Sequence, residues 1–201
     1  METSVLHRLA VSWTIALNRY ANRDGLELKK MILGMEMLLH NVPKLILMVV
    51  TAYIVGILPL TLATWLSFAV IRRYASGLHA NNSIVCSVMT IIMFVFLPLA
   101  LQNVIISHVT LVVAFATFGV SLCLYAPADT LARPIVNKMR RIILKRKSII
   151  ACFSLFITTL IFHMDKLSVA ILIGVACAIS LTLPISYKAL KRSMNNYEKY
   201  E

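Results

Sequence analysis

The chain has 201 residues, 60% of them hydrophobic and only 14% charged, which leaves too little polar sequence to cover a soluble core of that size. Its net charge of +12 would suggest nucleic acid in a soluble protein, but no binding motif or aromatic-basic stripe accompanies the charge. Long apolar runs alternate with short segments holding almost every Lys and Arg, so the expected class is an all-α, polytopic integral membrane protein with lipid, not nucleic acid, around it.

Residues 3–20 place Leu6, Leu9, Trp13, Leu17 and Tyr20 on one helical stripe, with Arg8, Ser12 and Arg19 elsewhere. That spacing suits a helix lying in the membrane interface. A second amphipathic stretch follows Asp24, a capping residue type, and puts Leu28, Met31, Ile32, Met35, Leu38 and Leu39 on one face. Residues 1–44 therefore read as amphipathic helices on the cytoplasmic face. Their apolar residues are interrupted by His7, Arg8, Asn18 and Arg19, so no signal peptide is expected there.

Residues 45–71 carry no charge. One tilted helix could use them all, or a hairpin near residues 56–59 could split them into two short spans. A polar patch follows at 72–83. Residues 84–125 hold two spans divided at Gln102 and Asn103, and residues 126–148 form a basic loop. Residues 149–187 hold two further spans divided at 163–166, and residues 188–201 form a polar tail. Charge bias settles the hairpin. With two spans in 45–71 there are six in all, both termini are cytoplasmic, and every Lys and Arg except Lys166 lies inside. With one span there, the seven-charge basic loop would lie outside.

None of the four cysteines forms a CxxC pair, so no zinc site, redox motif or other cofactor is expected. Cys123, Cys152 and Cys177 fall within apolar runs, where cysteine packs as a small hydrophobe. Cys86 instead closes the segment 72–86, which contains Arg72, Arg73, Gly77, His79, Asn81, Asn82 and Ser83. A thiolate is a good nucleophile, and an imidazole can take its proton and later protonate a leaving amine. On one continuous helix, seven residues rise about 10.5 Å, which would keep His79 and Cys86 apart. A working pair therefore needs the chain to turn between them, and Asn81, Asn82 and Ser83 are residues that end one element and cap the next. Cys86 would then lie in the first turn of the following helix, where the helix dipole favours a thiolate.

The run Arg72-Arg73-Tyr74-Ala75-Ser76-Gly77-Leu78-His79-Ala80-Asn81-Asn82-Ser83-Ile84-Val85-Cys86 resembles the signature of the accessory gene regulator B family, membrane cysteine endopeptidases of bacterial quorum sensing. Tyr125-Ala126-Pro127-Ala128-Asp129-Thr130, followed by Arg133-Pro134-Ile135, resembles a second segment of that family. The resemblance implies a bacterial plasma-membrane enzyme that cleaves a small precursor peptide and holds its N-terminal part as a thioester. A Cys or Ser within that peptide then closes a thiolactone or lactone ring, giving a cyclic autoinducing peptide. By motif position Cys86 is the nucleophile and His79 the base, with Arg72 and Gly77 in supporting roles.

The family's precursors have an amphipathic N-terminus and an acidic C-terminal region, for which Lys145, Arg146 and Lys147 are candidate contacts. Members are thought to pair as homodimers. Asp129, the one acid in the basic loop, could orient His79, although the family pattern does not require an acid there. The alternative reading is a non-catalytic peptide exporter or channel, whose polar segments between spans would mark a pathway rather than a reaction.

Overall fold

The computed structural model describes residues 5–78, 83–129, 135–161 and 166–190. Regular structure among them is helical, with one isolated β-bridge. The chain divides into two compact units, Met1–Thr51 and Ala52–Glu201.

The first unit contains α1 (Val5–Ala21) and most of α2 (Gly25–Ile54). On α1 the side chains of Leu6, Leu9, Trp13, Leu17 and Tyr20 are exposed, as an interfacial helix requires if lipid is to receive them. Asn18 closes the turn to α2, donating to the Arg23 carbonyl and accepting from the Arg23 N–H, each at 2.9 Å. A hydrogen bond between the His7 ring and the Glu36 carboxyl group ties the two helices together.

The second amphipathic stretch does not stop before residue 45. It continues as one helix through Pro43 to Ile54. Proline removes one N–H from the helical ladder, but the apolar periodicity on either side is unbroken, and membrane helices tolerate such an interruption.

The second unit opens on the end of α2. The N–H of Gly56 (φ +75°) donates to Tyr53 O at 3.1 Å, and that of Ile57 to Ala52 O at 3.0 Å. This is a Schellman closure with glycine in the left-handed position, and it breaks the uncharged run 45–71 near its middle. α3 (Leu58–Ala75) follows, with Pro59 in its first turn.

Next come α4 (Ser83–Ile91), a π-helical turn (Ile92–Phe96) and α5 (Leu97–Leu101), continuous along the chain. The π turn immediately precedes Pro98, whose missing N–H disturbs the local register. The remaining helices are α6 (His108–Tyr125), α7 (Lys138–Ile161), α8 (Lys166–Ser180) and α9 (Pro184–Ala189).

α8 is the hub. Its residues are apolar on all sides and buried from Ser168 to Ile171 and again through most of 173–179. It crosses α3 where Gly174 faces Ser67 and the Thr64 carbonyl so closely that a Cβ there would collide with both. The Thr64 hydroxyl donates across this crossing to Ala170 O at 3.0 Å. Small residues and a hydroxyl bond at a close crossing are how helices associate where lipid supplies no hydrophobic drive. Ile71 and Ala75 of α3, Leu122 of α6, Cys152 of α7 and Val175 of α8 meet in one buried cluster.

α7 corrects one expectation. Lys138 to Lys147, read as part of a loop, form the first turns of a 24-residue helix. The segment contains no Gly or Pro, and Lys, Arg, Leu and Ile all sustain a helix.

By length and composition, α2, the helix covering 84–101, and α6 can each cross a bilayer, while α8 is apolar but shorter. The chain is an all-α membrane protein.

Candidate active site

α3 ends in a turn that ordinary residues do not adopt. Ala75 is its last residue, Ser76 has φ +58° and Gly77 has φ +115°. Arg72 folds back over this end. Its Nη1 donates to Ser76 O at 2.8 Å and its Nη2 donates to Leu78 O. One guanidinium thus serves carbonyls at and just beyond the helix terminus, where acceptors lack helical partners and a cation is favoured by the dipole. The group lies 6.0 Å from the centre of the Phe68 ring. Burial lowers its pKa to about 10, with Tyr187 acting the other way, so Arg72 remains charged at neutral pH.

Gly77 is required twice over. Its φ belongs to glycine, and a Cβ there would strike Arg72 Nη1 and come within 2.7 Å of the Leu181 carbonyl oxygen. The Leu78 N–H donates to that same carbonyl at 3.3 Å. The supporting position implied for Gly77 therefore has a steric cause: helix end, guanidinium and the Leu181 carbonyl converge on it.

The two motif segments meet here. Ser76 pairs with Ala128 in a parallel β-bridge, and the Ala128 N–H donates to Ala75 O at 2.9 Å. Leu78, Ala128 and Tyr187 form a small buried cluster, and the Tyr187 hydroxyl donates to the Asp129 main-chain carbonyl at 2.8 Å. Tyr187 had no place in the sequence reading, which put it at the end of an apolar run. The available signal was a phenol just after the Pro184 break, where a buried hydroxyl must find an acceptor.

Cys86 is the fourth residue of α4 and lies in its first turn, half-buried. α3 stops before His79 and α4 begins after it, so one helix does not carry both residues. His79 itself, with Asn81 and Asn82, lies outside the described residues. The chain leading away from Cys86 is seated on α3 through Phe94 of the π turn, whose ring packs edge-on against Phe68 at 4.9 Å. Phe68 is also the ring under Arg72, so the α3 end and the α4 continuation share a support. Of the other thiols, Cys152 and Cys177 are buried and Cys123 lies exposed on α6.

Lys145, Arg146 and Lys147 occupy consecutive positions on α7, about 100° apart around the axis. Lys147 Nζ lies 6.0 Å from the centre of the Tyr74 ring, which brings the basic stretch beside the first motif.

Comparison with known proteins matches residues 11–183 to the family described as Accessory gene regulator B. The chain belongs to that family. A putative AgrB-like protein of Clostridium acetobutylicum is 32% identical over 200 residues, covering 100% of this chain and 96% of the relative. A putative AgrB-like protein of Listeria monocytogenes is 35% identical over 84% of this chain and 82% of its own length. The accessory gene regulator protein B of Staphylococcus carnosus is 37% identical over 74% and 76% respectively. No solved structure matches. As an accessory gene regulator B protein, this chain is a membrane component of accessory gene regulation.

Proposed function

We propose that this accessory gene regulator B protein is a cysteine endopeptidase that processes a small precursor peptide into a cyclic (thio)lactone for quorum sensing. The observation that carries the reading is the position of Cys86 in the first turn of a helix that starts beyond His79 in the chain, after a segment whose Ser76 and Leu78 carbonyls are held by Arg72. In the reaction His79 removes the Cys86 proton and the sulfur attacks a precursor carbonyl. The tetrahedral intermediate collapses as the imidazolium gives that proton to the departing amine. The N-terminal fragment remains as a thioester on Cys86. An internal thiol or hydroxyl of the peptide then attacks the same carbonyl, losing its proton as the ring closes, and Cys86 leaves as the free thiol. A tethered nucleophile has an effective concentration far above that of an intermolecular one, so cyclisation outruns hydrolysis.

The test is to incubate membranes carrying the protein with precursor and search for a thioester adduct at Cys86 by mass spectrometry. An adduct there supports the reading, and processing without one argues against it.

The same proposal sets the protein in the bacterial plasma membrane with six spans and both termini cytoplasmic, and leaves room for a homodimer. Reporter fusions at Asn103 and Lys166 should read outside, and those at Ser76, Lys138 and Tyr197 inside. A fusion at Lys138 reading outside would put the basic stretch on the wrong side for a cytoplasmic substrate.

The basic start of α7 suits an acidic precursor tail. Exposed pairs contribute about 0.2–1 kcal/mol each. Changing Lys145, Arg146 and Lys147 together to Gln should therefore raise the precursor KM several-fold at low salt, and less at high salt, where screening already weakens the pairs. Unchanged kinetics at low salt in a correctly oriented triple variant would assign these charges to topology alone.

A further inference from the structure

The helix that carries Cys86 has two unlike sides. Cys86 and Thr90 are half-buried, and Phe94 and Pro98 are buried. Ile84, Val88, Ile92 and Phe96 are exposed. Each side thus recurs every four residues from 84 to 98, not at the α-helical period of about 3.6. Side-chain chemistry follows the same division. The polar side chains between Ile84 and Leu101 are those of Cys86, Ser87 and Thr90, and all three lie on the less exposed side.

A four-residue repeat cannot stay on one side of an unbroken α-helix. At about 100° per residue it slips by about 40° at each step, which would leave Cys86 and Pro98 about 120° apart. The π turn Ile92–Phe96 removes the slip. There the Leu97 N–H donates to Ile92 O, five residues back, so the turn takes up one residue more than an α turn. Cys86 and Pro98 are then related by about eleven α-helical steps instead of twelve, and end about 20° apart.

The turn is held from several directions. Phe94 packs edge-on against Phe68, and Met93 packs on the buried cluster of Val169, Ile173 and Cys177. Pro98 has no N–H to give the Phe94 carbonyl, its acceptor in an α-helix. By contrast, none of residues 84–91 is buried. The rotational setting of α4 is therefore inherited from the π turn, not fixed by packing of α4 itself.

We infer that the π turn is a positioning element of the site, a one-residue spacer that turns Cys86 to the protein side of its helix. This rests on the cysteine endopeptidase reading. With α winding continued from Pro98, Ile84 would come within about 40° of the protein side and Cys86 would turn toward lipid. Hydrocarbon disfavours a thiolate, which is the nucleophilic form.

Nitroxide labels read this directly, because oxygen concentrates in the bilayer and collides with a label that faces lipid. Two chains are compared, each with Cys123, Cys152 and Cys177 changed to Ala. One is labelled at Cys86, the other at Ile84→Cys in a Cys86→Ala background. The label at 84 should show a several-fold higher oxygen collision rate than the label at 86. Deleting Ile92 leaves α winding throughout with both faces kept. That order should persist, and the unlabelled deletion chain should process precursor at close to the native rate. One Ala inserted after Thr90 turns Cys86 by about 100°, which should reverse the order. Processing should then fall by at least about 10²-fold.

A higher collision rate at 86 than at 84 in the chain of native length overturns the inference, and that comparison needs no deletion or insertion to fold. A deletion chain that reverses the order, or keeps it and loses processing, also overturns it and leaves the endopeptidase reading standing. If the insertion reverses the order and processing is undiminished, the reaction does not depend on where Cys86 faces. The endopeptidase reading then fails, and the role of the turn in the reaction fails with it.

Discussion

Cys86→Ala should leave no detectable precursor cleavage while the protein inserts at its normal level. The residue supplies the bond-forming atom, and loss of a nucleophile from a cooperating set removes essentially all the catalysis that the set provides, on the order of 10⁶-fold in the best-studied hydrolases. Insertion should survive because Cys86 is only half-buried and belongs to none of the buried clusters around α8. His79→Ala should lower the rate by about 10²–10⁴-fold, the usual contribution of a positioned general base. The residual rate should rise with pH as hydroxide forms thiolate without the imidazole. Cys123→Ala, Cys152→Ala and Cys177→Ala should remain active, with the two buried positions losing some stability through the small cavities left. The measurement is precursor cleavage per inserted molecule. Cleavage by Cys86→Ala at anything near the normal rate would remove the peptidase reading and favour an exporter, for which this thiol would be incidental.

The parts of the architecture legible in the sequence were those governed by neighbouring residues. Gly56 followed by Pro59 is local turn chemistry, and the helix break falls there because glycine can occupy the left-handed position that a Schellman closure needs. The Asn-Asn-Ser run before Ile84 carries capping chemistry, and α4 begins at Ser83, which puts Cys86 in its first turn. The exposed stripe of α1 followed from a period of 3.6.

Features governed by residues far apart were not legible. Ser76 meets Ala128 across 52 positions, and Tyr187 meets Asp129 across 58. Neither contact has a periodicity, and both are single bonds rather than ladders. The continuity of α2 across Lys44 and the helical state of the basic stretch were not legible for another reason. Charged residues mark where an apolar run stops, but Lys and Arg sustain a helix, so a helix need not end where its apolar run does.

The function of the first motif also gains a physical cause that spacing alone could not supply. Arg72 and Gly77 sit five apart, which on a regular helix would place them on different faces. Because α3 ends between them, the arginine side chain instead returns along the chain and closes over the glycine. The arginine holds carbonyls, the glycine makes room for the arginine, and Leu181 closes the other side. The supporting pair of the motif therefore works as one clasp, whose product is a fixed backbone at Leu78, directly ahead of His79.

The clasp makes Gly77→Ala the most damaging single change expected away from Cys86 and His79. At φ +115° an L side chain is strained, costing about 1–3 kcal/mol before any contact is counted. The added Cβ would also meet Arg72 Nη1 and lie 2.7 Å from the Leu181 carbonyl oxygen. The carbonyl is main chain and cannot swing aside, so Arg72 must yield. If Nη1 leaves Ser76 O, a half-buried charge-assisted bond is lost, worth about 1.5–3 kcal/mol. Together these costs rival the free energy that holds a local segment in its native form, so residues 76–78 should abandon their arrangement while the helical core, centred on α8, persists. Processing should fall by at least about 10²-fold, since a displacement of an ångström at a catalytic group has that cost. Gly119→Ala is the control. Gly119 lies mid-helix in α6 with open space around its Cβ direction, and alanine there should be neutral or slightly stabilising. Both variants are compared by cleavage rate per inserted molecule and by thermal retention of helicity in detergent. Gly77→Ala processing precursor at the normal rate would show that the clasp is dispensable, and that Arg72 supports the site in some way other than by holding the Ser76 and Leu78 carbonyls.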